Sequence, residues 1–236
     1  MANSYGASIV TNNLVLMLDA ANPRSYPGSG TAWNDLSGNN LNTALVGAPT
    51  YNSNYNGYLT FNGTSQYVSL PYSSTNLSFS GKNFSQDCWI YLTAYSQLFT
   101  SYYAASLFSN YWLQWSVSGT ATSWNGINFY VNGGTVNNGV SYAFSLNTWY
   151  NLSFTYTTST GTWTIYVNGK SIGSFVGATT WTEGNTNPYY IGNNPQSGYN
   201  YYFPGCIANF KIYNNATLSA AQVAQNFEAY RGRYGV

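Results

Sequence analysis

Apolar and polar residues alternate with a period of two through much of this chain. In residues 149–156, Tyr150, Leu152, Phe154 and Tyr156 alternate with Asn151, Ser153 and Thr155, which directs one face of a β-strand to a core and the other to solvent. Comparable runs, rich in Tyr, Phe, Trp, Val, Ile and Thr, occupy residues 14–18, 59–61, 67–70, 84–95, 111–117, 127–131, 162–167, 171–175, 189–191 and 207–213. Clusters of Gly, Asn, Ser and Pro separate them at short intervals, which predicts an antiparallel all-β sandwich or jelly roll. The sharpest local signal is Asn168-Gly169 between 162–167 and 171–175. Asn and Gly accept the positive φ that a type I′ hairpin turn needs at both central positions. One segment departs from the period: in residues 218–230, Leu218, Val223, Phe227 and Tyr230 fall close to one helical stripe, Ser219 can cap the start, and Gly232 is the expected stop. With no internal repeat, charge run or long linker, the simplest organisation is one domain over 1–236, comprising a polar N-terminal arm (1–13), the sandwich and the short C-terminal α-helix.

Composition narrows the chemistry. Only 5% of the 236 residues are charged and none is His, against 25 Tyr, 12 Phe and 8 Trp. Acid–base, nucleophilic and metal-assisted catalysis draw mostly on His, Asp, Glu, Lys and Cys, whereas Tyr, Trp, Asn, Ser and Thr suit stacking and neutral hydrogen bonding. Binding or assembly is therefore expected, with no catalytic residues, no metal and no cofactor. A net charge of +1 provides no basic field for a phosphate backbone, so nucleic acid is not an expected partner. No apolar run reaches bilayer-spanning length, and the opening MANSYGASIVTNN lacks a basic start and a hydrophobic signal core, so neither membrane insertion nor export is expected. The sequons at Asn62, Asn76, Asn83, Asn151 and Asn215 are what chance produces in a chain this rich in Asn, Ser and Thr. Cys88 shares a strand face with Phe84 and Ile90. Cys88 and Cys206 are compatible with one disulfide, but buried apolar thiols are the simpler reading, and free thiols are expected. Two Cys without His cannot build a structural zinc site.

Several segments carry a resemblance, in order: LVLMLDAANPRSYPGSG (14–30), WNDLSGN (33–39), LTFNGTSQYV (59–68), WYNLSFTY (149–156), YVNG (166–169), Ile191-Gly192, GCIANFKIYN (205–214) and LSAAQVAQNF (218–227). Together they resemble the laminin G-like jelly rolls of the concanavalin A-like lectin/glucanase superfamily, especially the stand-alone versions found in bacteriophage and other virus structural proteins. The resemblance is specific for fold and weak for function, since one sandwich hosts lectins, hydrolases, adhesins and capsid parts. It implies a calcium site in relatives that carry Asp where this chain has Asn62 and Gln66; neutral amides are far weaker ligands for a hard cation than carboxylates, so no metal is expected. The glucanase branch works with a close set of Glu and Asp. Here Asp19, Asp35, Asp87, Glu183 and Glu228 are isolated in sequence, Asp19 and Asp35 in turn-forming contexts, Asp87 on a strand and Glu228 on the helix.

A sugar contact calls for an aromatic ring on a loop with amides beside it, because rings stack on apolar pyranose faces while Asn and Gln meet hydroxyls. Two segments qualify. One holds Trp124 and Asn125; the other runs from Trp181 through Asn185, Asn187, Tyr189 and Tyr190 to Asn193, Asn194, Tyr199, Tyr201 and Tyr202. The same residues suit packing or subunit contact, as do Tyr102, Tyr103, Tyr111 and Trp112. The expected function is a non-enzymatic virion structural protein, a capsid decoration or appendage subunit of a phage, with weak glycan adhesion as an outward role. The alternative is a free, extracellular carbohydrate-binding lectin module, and a glycoside hydrolase ranks a distant third. Expected partners are copies of the chain in a homo-oligomer, a virion shell or appendage protein, and cell-surface glycans. The arm at 1–13 is expected to contact a neighbour or to fold against its own sheet.

Overall fold

The computed structural model describes residues 7–73, 75–94, 103–109, 113–120, 123–131, 136–179, 188–194 and 202–236; between 103 and 137 the side chains described are those of Ser116, Val117 and 126–129. The strands are β1 (Leu14–Asp19), β2 (Ala32–Trp33), β3 (Thr43–Val46), β4 (Thr50–Asn52), β5 (Tyr58–Asn62), β6 (Tyr67–Leu70), β7 (Phe84–Leu92), β8 (Tyr103–Ser109), β9 (Leu113–Thr120), β10 (Ser123–Val131), β11 (Val136–Phe144), β12 (Trp149–Thr157), β13 (Thr162–Val167), β14 (Lys170–Val176), β15 (Tyr189–Ile191) and β16 (Pro204–Asn214), followed by helix α1 (Ala220–Tyr234). A 3-10 turn at Asn54–Asn56 links β4 to β5.

Two eight-stranded antiparallel sheets face each other. The first runs β14-β13-β12-β7-β16-β5-β4, with β1 also pairing β16; the second runs β11-β10-β9-β8-β15-β6-β3-β2. Inward residues of both sheets share one core, in which Ile90, Leu152 and Phe154 of the first sheet meet Val68, Ile127 and Ile191 of the second. The predicted β-sandwich and its single helix are thus observed. The Asn168-Gly169 turn has φ of 50° and 73°, as a type I′ hairpin requires. A Cβ on Gly169 would meet Phe227 Cβ at 3.0 Å, so the glycine also lets α1 approach the hairpin.

The alternation in β12 holds for its inner face and fails for its outer one. Asn151, Ser153 and Thr155, expected in solvent, are buried. The cause is a third layer: α1 and residues 7–13 cover the outer face of the first sheet. Val10 N donates to Asn226 Oδ1 (2.9 Å), Tyr213 Oη donates to Val10 O (3.0 Å), and Gln225 Nε2 donates to Ser8 O (2.6 Å). Residues 7–13 of the arm therefore fold against their own sheet and helix. The helix begins as expected, with Ser219 and Gln222 forming a capping box, but it continues through Gly232 and ends at Gly235 in the left-handed region (φ 71°). A helical glycine costs about 1 kcal/mol relative to alanine, and the added turn offsets this by docking Arg233 and Tyr234.

Both cysteines are free and buried. Cys88 faces the inter-sheet core, whereas Cys206 lies in the outer layer with Trp89, Trp149 and Phe227. Thiols on opposite faces of one sheet do not have their Cβ vectors converging, so a disulfide between them is geometrically barred.

Candidate functional site

The predicted sugar-contact residues divide into three groups. Trp124 and Asn125 are not on a loop. They lie in β10, where Trp124 pairs with Gly119 and Phe144 at a register shift, because the β9–β10 hairpin extends further than the apolar run 127–131 indicates. Their side chains, and Trp181, Tyr199 and Tyr201 altogether, lie outside the described residues. Asn193 and Asn194 are only 1% and 2% exposed, packed where the chain leaves β15 and returns to β16. Their burial leaves these two amides without the open surface that the expected sugar contact calls for.

The second segment nevertheless brings aromatic rings to the surface. In β6 and β15, Val68, Leu70, Tyr189 and Ile191 point into the core, so alternation turns Tyr67, Ser69 and Tyr190 outward. Tyr190 pairs with Ser69 on one side and Ser109 of β8 on the other. The Tyr67 ring meets Tyr190 edge-on at 5.7 Å, and Tyr202, just before β16, closes the group at 6.3 Å from Tyr67. All three are partly exposed, and no described helix packs on this face. Burial pushes the Tyr190 hydroxyl pKa up, and Tyr67 pushes it further, so Tyr190 keeps its proton and remains both donor and acceptor at neutral pH. Tyr190 and Tyr202 stand inside the predicted segment. Tyr67 was missed as a contact residue, although its place opposite Val68 and Leu70 in the alternation signals an outward ring.

Beside Tyr67, the loop at 62–66 is closed by its own amides. Asn62 Oδ1 accepts from the backbone N–H of Thr64, Ser65 and Gln66 (3.0, 3.0 and 3.3 Å), while Gln66 Nε2 donates to Gly47 O and Ala48 O (3.0 and 2.9 Å). Gln66 aims an N–H edge at those carbonyls, and Asn62 spends its oxygen on the turn. These residues do not fit a hard cation. Among the described residues no three His, Cys, Asp or Glu groups gather.

The described carboxylates have separate partners. Asp35 accepts from Met17 N, Ser37 N and Leu41 N and organises its loop; Asp19 pairs with Arg233 (3.0 Å); exposed Glu228 pairs with Arg231 (3.2 Å). Asp87 is buried against Lys211 and also accepts from Asn151 Nδ2 (2.9 Å) and Ser153 Oγ (2.7 Å), while Lys211 Nζ donates to Asn209 Oδ1 (2.9 Å). This network fills the buried polar face under α1. Burial by itself would lower the Lys211 pKa, but Asp87 and two neighbouring tyrosines raise it well above the usual lysine range. Burial likewise raises the Tyr213 and Tyr234 hydroxyls. Groups whose folded pKa is raised stabilise the fold fully below their unfolded values and lose that contribution as pH climbs through the folded ones. With no His to titrate, stability should be flat between about pH 6 and 9 and fall steeply above about pH 10.5, as urea midpoints across that range will show.

Known structures share this architecture. Domain 4 of an extracellular GH43 arabinanase from Geobacillus stearothermophilus, solved with arabinotriose, matches with a TM-score of 0.67 and 18% identity, over 92% of this chain and 98% of that one. The binding domain of Paraclostridial Mosquitocidal Protein 1 matches with a TM-score of 0.65 at 17% identity over 93% of this chain, and a botulinum neurotoxin type C structure with 0.68 at 16% over 94%. This chain spans about half of those two, 53% and 52% of their lengths. At such identities the likeness shows the fold. No curated protein sequence matches this chain. The family model that does match covers residues 62–224, well over half of the sequence, and with the two-sheet architecture it places the chain in the concanavalin A-like lectin/glucanases superfamily.

Proposed function

We propose that this chain is a non-catalytic recognition module that binds saccharides weakly through the tyrosine face of its second sheet and is displayed in many copies on a virion, as a capsid decoration or appendage subunit. The observation that carries the recognition part is the outward group of Tyr67, Tyr190 and Tyr202 on a face that no described helix covers. Rings partly exposed beside hydroxyls and amides suit a pyranose better than a charged ligand. Structural neighbours support this by analogy: the arabinanase domain was solved with arabinotriose, type C neurotoxin entry depends on two ganglioside molecules, and a related toxin binding domain was solved with SialylT.

Display on a particle is supported by the resemblance to stand-alone viral jelly rolls and by a chain only 5% charged, which suits neutral contact with copies of itself or a shell. Repetition would also supply the avidity that a shallow single site lacks. Residues 7–13 are occupied by the module's own fold, so particle contacts are to be sought elsewhere. The reading is tested by placing a multimerised form of the chain on a glycan array and measuring the mass of the isolated chain by light scattering. Retention of at least one glycan class, together with a homo-oligomer, is expected. An array without binding removes the adhesion role, and a monomer at high concentration favours a free lectin over a virion subunit.

A further inference from the structure

We infer a second saccharide-contact site on the opposite side of the sandwich, at the turn 52–58, built on the ring of Tyr55; this rests on reading the chain as saccharide-binding. Tyr55 is 48% exposed, while the rings beneath it, Trp149 and Tyr234, are buried. Its backbone is in the left-handed region (φ 51°, ψ 33°), followed by Asn56 at φ 63°. A bulky L residue enters that region only when its surroundings over-determine it, and such positions concentrate at ligand-contact sites.

Here the surroundings do so. Arg233, on the last turn of α1, donates from Nε to Tyr55 O (2.6 Å), from one terminal nitrogen to Gly57 O (2.7 Å) and from the other to Asp19 Oδ1 (3.0 Å). Gly57 is wedged so closely that a Cβ there would lie 2.6 Å from Ala20 O. The Tyr55 ring packs edge-on to Trp149 at 5.6 Å, with Tyr58 and Tyr234 each at 6.4 Å. An exposed aromatic surface is therefore held rigidly before any ligand arrives, which lowers the entropic cost of binding.

The rim supplies the complementary polarity. Asn52 Oδ1 is taken by Asn54 N (2.8 Å), but the side-chain amides of the exposed Asn54 and Asn56 have no hydrogen-bond partner among the described residues. An open ring with neutral amides on either side is the pattern for a pyranose, with its apolar face on Tyr55 and its hydroxyls on the amides. The nearby cation, Arg233, is already occupied by three oxygens and is not available to a charged ligand. A tyrosine serving merely as a cover for Trp149 would need neither the strained backbone nor the free amides.

The indole N–H of Trp149 is buried without a hydrogen-bond partner among the described residues, so its resonance reports on this turn. The experiment is a titration of the full, nitrogen-15-labelled chain with methyl β-D-galactopyranoside and methyl β-D-glucopyranoside, the Trp149 indole peak being assigned through Trp149→Phe. At least one glycoside should shift that peak, with Tyr55→Phe binding within about threefold of the parent and Tyr55→Ala about tenfold weaker. Tyr67→Ala should leave the shift intact. Should Tyr55→Ala lose its dispersed spectrum, the pair Asn54→Ala and Asn56→Ala, both exposed, must weaken the same shift. A Trp149 peak that neither glycoside moves, or that moves equally in these variants, overturns the inference. Array binding that depends on Tyr67 and Tyr190 would then still stand, and its absence would remove the parent reading instead.

Discussion

Lys211→Met should cost about 3–5 kcal/mol of folding stability, because it leaves Asp87 as a buried carboxylate with no counter-charge. Asn151 and Ser153 still donate to it, but two neutral donors do not replace an ammonium at contact distance. Adding Asp87→Asn, which keeps the shape and removes the orphan charge, should recover most of the loss. Equal instability of the single and double variants in urea unfolding would show that the pair is not what holds the face beneath α1.

Trp163→Ala is the second large effect, again about 3–5 kcal/mol. Trp163 is fully buried between the sheets, with ring centres of Phe129 and Phe154 at 5.1 and 5.5 Å, Phe84 at 5.6 Å and Tyr156 at 4.5 Å. Those neighbours belong to three strands, β7, β10 and β12, whose backbone pairing prevents them from closing around the void. Trp149, although also buried, sits in the outer layer beneath exposed Tyr55 and half-buried Tyr58, so water can enter the space its ring leaves. Trp149→Ala should consequently fall at the low end of the same range. A melting series giving the reverse order would place the mechanical centre of the fold in the outer layer.

Much of the first sheet is legible in the chain because its strands carry a strong period of two and one hairpin has an unambiguous turn. The inner face of β12, the Asn168-Gly169 hairpin, the Ser219 cap and the core position of Cys88 all follow from local patterns. What is not legible depends on long-range cover. Nothing near Asn151 or Ser153 announces that a helix more than sixty residues away will bury them, and nothing near Asp87 points to Lys211, its partner across 124 positions. Short strands such as β2, β3 and β4 are hidden among Gly, Asn and Ser, and β11 opens with Val-Asn-Asn-Gly, which reads as a turn. The same limit applies to the candidate site. Asn193 and Asn194 have the composition of a sugar contact but the burial of a structural turn, whereas Tyr67, read only as a strand residue, becomes part of the surface group through pairing with β15.

The central claim is that the outward tyrosines of the second sheet hold the saccharide. Its most direct test is the affinity of the multimerised chain for its strongest array glycan, compared with the Tyr67→Ala, Tyr190→Ala double variant at matched oligomer size and melting temperature. The two rings together are expected to account for at least a tenfold loss, about 1.4 kcal/mol or more. Unchanged affinity in the folded double variant would contradict the claim and move the binding surface elsewhere on the sandwich.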